Sequence, residues 1–143
     1  MALLKICSKC GKKYDYYGHC ECYDKNNKIN YKEYKRNRTD TREQSFYSSS
    51  AWIKCRDTIR MHYNDMCLCC YIEKGTVVEE DTIHHIIELK EDWTERLNDS
   101  NLIPLCNSCH KKVHKRYELD CDTKIATQVK LRKLKDTFDK EFN

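Results

Sequence analysis

The chain has 143 residues, 39% of them hydrophobic and 35% charged, and 27 Lys and Arg against 23 Asp and Glu leave a net charge of +4. That length suits one ordinary domain or a small domain with extensions, and so few aliphatic side chains cannot stabilise it by burial alone. No apolar run approaches the length of a membrane span, which argues against a membrane protein.

Residues 1–24 form a cysteine module. The opening "MALLKICSKC" has no long apolar stretch with a cleavage site, so no signal peptide and a cytoplasmic location are expected. The eleven cysteines are an odd number. Two CxxC pairs, Cys7/Cys10 and Cys106/Cys109, and a third candidate pair in "CLCC" favour reduced thiols holding zinc over disulfides. Cys7 and Cys10 enclose a tight turn before Gly11, and Cys20 and Cys22 close the module. Four thiolates, or three with His19, make a tetrahedral zinc ribbon-like set.

Residues 25–43 are polar and basic and read as a linker or an exposed helix. Lys35, Arg36 and Arg38, with tyrosines interleaved, suit a polyanion such as DNA. From residue 44 a serine run able to cap a helix precedes Trp52, Arg56, Ile59 and Tyr63 at helical spacing. Cys55 on that helix reads as a small buried hydrophobe.

The next segment carries the chemistry. Val77-Val78 and Ile83 to Ile87 are β-rich runs around a polar turn and predict a hairpin. Residues 101–106, with one proline, read as a loop that becomes a helix from about Asn107. The final stretch, 118–143, predicts an amphipathic helix with Ile125, Val129, Leu134 and Phe138 on its apolar face.

Cys67 and Cys70 precede the hairpin, while Cys106 and Cys109 open the helix. Two such knuckles are a strong structural zinc signature, with Cys69 able to replace Cys70. His110 and His114 lie four apart and share a helical face, the spacing that grips one metal ion. His84 is a candidate third ligand, which would leave an open position for chemistry. His85 follows directly in an extended run, so it points to the opposite face and is free to act as a base.

With His85, Asn101 and His110 in that order, the stretch from "MCLCC" through "TIHHIIELK" to "SNLIPLCNSCHKKVH" resembles the HNH endonucleases, in particular phage-type members. The resemblance implies an α+β, ββα-metal module over 44–117 with flanking helices. His85 then matches the general base, His84 and His110 match metal ligands, and His114 matches a ligand of the colicin-type branch. Asn101 matches the motif asparagine, which braces the loop or orients the base. The expected reaction is phosphodiester hydrolysis of DNA to a 5′-phosphate and a 3′-hydroxyl. The imidazole ligands suit Zn²⁺, Ni²⁺ or Mn²⁺ better than Mg²⁺, which prefers oxygen. Phage-type likeness also allows terminase or portal partners in DNA packaging. The alternative is a non-catalytic zinc-ribbon nucleic-acid binder or packaging adaptor, which has no need of a base at His85.

Overall fold

The computed structural model describes residues 3–24, 34, 36 and 39–142. It opens with a small antiparallel hairpin, β1 (Leu4–Ile6) and β2 (Lys13–Asp15), in which Leu4 faces Asp15 and Ile6 faces Lys13. The Cys7–Cys10 turn joins them, and Gly11 at φ +73° supplies its left-handed residue. This module is tied to the rest of the chain by backbone. Ile6 bridges Val78 in parallel, donating to the Val77 carbonyl at 3.1 Å. Asp81 adds a side-chain tie: one carboxylate oxygen accepts the Ser8 hydroxyl at 2.7 Å, and the other accepts the Asn107 backbone N–H at 2.6 Å.

Two helices follow where the sequence predicts one. α1 (Thr41–Tyr47) and α2 (Ser50–His62) break at Ser49, whose hydroxyl accepts the Trp52 N–H and so caps α2. Trp52, Ile59 and Tyr63 are buried as their spacing predicts. α3 (Leu68–Lys74) carries the first knuckle and stops at Gly75, φ +63°.

The expected hairpin is corrected. β3 (Thr82–His85) does not pair with Val77-Val78: the Val77 carbonyl accepts the Ile6 N–H, and the Val78 carbonyl accepts the Cys67 N–H at 2.9 Å. The partner of β3 is β4 (Leu102–Leu105), read from sequence as a loop because of Pro104. A proline is tolerated because each strand of a two-stranded sheet has a free edge. All four β4 residues are buried, so no alternation betrays the strand. The register sets His84 opposite Ile103 and His85 opposite Leu102.

α4 (Asn107–Leu119) begins where predicted, and only Asp120 separates it from α5 (Cys121–Phe142). The apolar face of α5 is also corrected. Thr127, Leu131, Leu134, Lys135 and Phe138 are buried, whereas Ile125 and Val129 lie exposed. Phe138 packs edge-on against Tyr63, which joins α5 to the end of α2. Among the described residues no helix is long and apolar enough to cross a membrane.

One buried ion pair sits beside the sheet. Arg60 Nε lies 2.5 Å from Glu80 Oε1, with the Glu80 side chain 6% exposed and that of Arg60 29%. Burial pushes the Glu80 carboxyl up to about 7, against the opposing pull of Arg60, so desolvation outweighs the attraction. A carboxyl raised in the fold favours folding while protonated. That advantage is complete below about pH 4.5 and is lost as pH rises to about 7. Glu80→Gln should therefore be more stable than the parent at pH 8, by up to about 3 kcal/mol, and the gain should shrink towards pH 5. Urea denaturation at the two pH values measures it, and the glutamine amide oxygen can still face the buried Arg60 Nε.

Candidate metal centres and cleavage site

Cys67 caps α3 and Cys106 caps α4, so each knuckle presents two sulfurs from one short turn. Cys67, Cys70, Cys106 and Cys109 are all buried, with one ligand atom from each within 4.8 Å of the others, and Cys69 is outside the group. Cys70 Sγ lies 3.8 Å from Cys106 Sγ and 3.7 Å from Cys109 Sγ. Zinc–sulfur bonds of about 2.3 Å in a tetrahedron give an edge of about 3.8 Å, so the set fits zinc. It does not fit disulfides, whose sulfurs are about 2.05 Å apart. Cys7, Cys10, Cys20 and Cys22 form a second set, with Cys7–Cys22 at 3.4 Å and Cys10–Cys20 at 3.5 Å. His19 is exposed and stands outside it.

The third cluster joins β3 to α4. His84, His110 and His114 bring ring nitrogens within 4.8 Å of one another. His110 Nε2 and His114 Nε2 face each other at 2.9 Å. Burial, then the neighbouring His110 and His114, holds His84 well below the usual imidazole range, and burial pushes His110 down to about 4. Both rings are therefore neutral near pH 7, with lone pairs available to a cation. Glu88 Oε1 lies 3.6 Å from His114 Nδ1, and Glu88 is itself held by Lys124 of α5 at 2.9 Å. The Tyr117 hydroxyl lies 3.4 Å from His84 Nε2 and donates to the Ile86 carbonyl at 2.7 Å. Sequence reasoning missed Glu88, Lys124 and Tyr117. Tyr117 could have been found, since it follows His110 and His114 on one helical face at seven and three residues.

His85 points away from that cluster into an aromatic box. Its ring stacks on Trp52 at 5.1 Å and 26°, with Phe46 at 6.0 Å and Tyr47 at 6.2 Å. Nε2 lies 2.9 Å from the Arg96 carbonyl. A carbonyl only accepts, so Nε2 carries the proton and Nδ1 keeps its lone pair. Burial pushes this histidine down too, partly offset by the bond to Arg96. All four histidines line one cleft of about 770 Å³, with Arg56 and Arg60 on its α2 wall.

Asn101 is fully buried and acts on backbone. Its Oδ1 accepts the Ile87 N–H at 2.7 Å, and its Nδ2 donates to the Ile87 carbonyl at 3.0 Å and the Glu95 carbonyl at 3.3 Å. It thereby ties the turn after His85 to the start of β4. Arg36 is exposed, while Lys35 and Arg38 lie outside the described residues. Cys55 is half-buried, its sulfur 3.8 Å from the Leu97 carbonyl.

An antiparallel hairpin feeding a helix, with histidines converging between them and a four-cysteine cluster at the base, defines the ββα-metal class of nuclease. The family model described as HNH endonuclease matches residues 67–116. A "Probable HNH endonuclease" of Lactococcus phage SK1 is 35% identical over 81 residues, covering 54% of this chain and 83% of that protein. The crystal structure of the deep-sea thermophilic bacteriophage GVE2 HNH endonuclease with manganese ion is 28% identical. It has a TM-score of 0.50 and covers 66% of this chain and 100% of that one. The chain belongs to the HNH endonuclease family and is a DNA endonuclease.

Asn101→Ala would remove the side-chain partner of the part-buried Ile87 N–H and of the Ile87 and Glu95 carbonyls. The expected loss is about 1.5–4.5 kcal/mol of stability, three hydrogen bonds at about 0.5–1.5 kcal/mol each, read by chemical denaturation.

Proposed function

We propose that His85 is the general base that takes the proton from the attacking water, and that His84, His110 and His114 hold the divalent ion. The observation that carries this is the divergence of two adjacent side chains into one cleft. His84 nitrogens converge with those of α4, while His85 is held in one tautomer by Arg96 with Nδ1 free. Trp52 and Phe46 keep His85 dry and neutral, the state a base needs near pH 7. When bound, the ion supplies charge stabilisation to the phosphoryl oxygens and to the leaving oxygen. An all-imidazole donor set favours Zn²⁺, Ni²⁺ or Mn²⁺ over Mg²⁺. The two cysteine sets take structural zinc, one stapling α3 to the β4–α4 junction and one closing the N-terminal hairpin. The substrate is the DNA backbone, and Asn101 positions the base through the turn it braces.

His84→Ala and His85→Ala should both lose most plasmid cutting, for different reasons. Loss of the base should cost about 10²–10⁴ in rate with Mn²⁺ affinity unchanged. Loss of a ligand should weaken Mn²⁺ binding, with activity partly restored by excess ion. Calorimetric titration beside nicking rates separates the two. Both proteins should retain two zincs per chain by metal analysis. Weaker Mn²⁺ binding in His85→Ala than in His84→Ala would reverse the assignment, and parental cutting by both would remove it.

His114 is supported as a ligand by the carboxylate behind it, because a metal-bound imidazole commonly turns its other N–H to such a group. Glu88→Gln should lower Mn²⁺ affinity by about 10–100-fold. In a His114→Ala background the same change should have no further effect, a non-additivity that calorimetry reads directly. Equal losses in both backgrounds would detach Glu88 from His114.

A further inference from the structure

α1 has two working faces. Glu43 and Tyr47, four residues apart, line the cleavage cleft. Arg42, Ser45 and Phe46 lie on the other side and line a second hollow of about 360 Å³, completed by Trp93 and Arg96. α1 is thus a wall between the two.

The hollow gathers positive charge. The Arg42 guanidinium lies 3.8 Å from the Trp93 ring centroid and that of Arg96 lies 5.3 Å from it. Among the described residues no carboxylate forms an ion pair with either. One indole attracts both cations, and Arg96 Nη1 also donates to the Trp93 carbonyl at 3.1 Å, but neither contact neutralises their charge. An anion beside them does, and the guanidinium fork matches a phosphate.

The hollow also adjoins the base. The Arg96 carbonyl is the group that holds His85, at 2.9 Å. Phe46 packs on both rings, 6.0 Å from His85 and 5.5 Å from Trp93. We propose that Arg42 and Arg96, stacked on Trp93, form a second seat that holds a DNA backbone phosphate neighbouring the one that is cut. The strand crosses α1 between cleft and seat. The seat reads no bases, since Arg42 covers the Trp93 face on which a base would stack. Arg96 carries both functions, its side chain on the neighbouring phosphate and its carbonyl on His85. The proposal rests on the cleft around His85 being where the strand is cut.

The test measures binding of a short duplex by fluorescence anisotropy over a salt series, in a His85→Ala background that does not cut. Arg42→Ala should weaken binding and flatten the slope of log affinity against log salt by about 0.9, the value for one lost phosphate contact. Arg42→Lys should keep the slope. Duplexes carrying one uncharged methylphosphonate, stepped along the strand from the cut, should show one adjacent position that weakens the parent and not Arg42→Ala. An unchanged slope in Arg42→Ala overturns the proposal. So does a drop in melting temperature with the slope intact, which would make the stack a structural brace only. Parental cutting by His85→Ala itself would instead remove the cleft reading, and the seat's position beside the cut with it.

Discussion

Everything at the cleavage site depends on the register of one short strand pair. Side chains alternate along β3, so His84 faces α4 and His85 faces α2. A slip of one residue against β4 would exchange them, turning His84 into the aromatic box and His85 towards His110 and His114. Four residue pairs are too few to hold a register by themselves. It is held from both ends. At one end Asn101 bonds both backbone groups of Ile87, and the Ile86 N–H donates to the Asn101 carbonyl at 2.8 Å. At the other, the Asp81 N–H donates to the Leu105 carbonyl at 2.9 Å, one residue before the Cys106 knuckle. The motif asparagine and the cysteine cluster thus serve one geometric purpose from opposite ends of the hairpin.

The C-terminal helix belongs to the same arrangement. Along α5, Lys124 reaches Glu88, Gln128 donates to the Ile86 carbonyl at 3.1 Å, and Arg132 donates to the Ser100 carbonyl at 3.2 Å. Buried Lys135 donates to the Asp99 carbonyl. These four lie at intervals of three or four residues and form a polar stripe, each bonding to a turn that flanks β3 or β4. The helix holds the irregular backbone around the site, where a short sheet provides no ladder to do so.

Much of this was legible in the sequence because metal-binding chemistry needs particular side chains at particular spacings. The Cys67/Cys70 and Cys106/Cys109 knuckles come together, His84 joins the i, i+4 pair on α4, and His85 turns to the opposite face, as their spacing implies. What escaped was set by tertiary context. β4 hid because it is buried throughout and carries a proline. Val77-Val78 lie outside the expected hairpin because their neighbour, Ile6, comes from a module more than seventy residues earlier. The buried face of α5 departs from the apolar spacing because Ile125 and Val129 are exposed, while Thr127 and Lys135 are buried and bonded. Glu88 and the aromatic box around His85 follow no periodicity. They emerge only when the chain returns.

Asp81 joins parts of different origin in the chain. Its two oxygens serve the Ser8 hydroxyl of the N-terminal hairpin and the first N–H of the helix that carries His110 and His114. A single carboxylate therefore transmits any shift of the cysteine hairpin to the leading edge of α4. The N-terminal module is consequently not a detachable cassette. Grafted onto another ββα core, it would need an acidic residue at this junction, and in a core that lost the module that oxygen would turn to water.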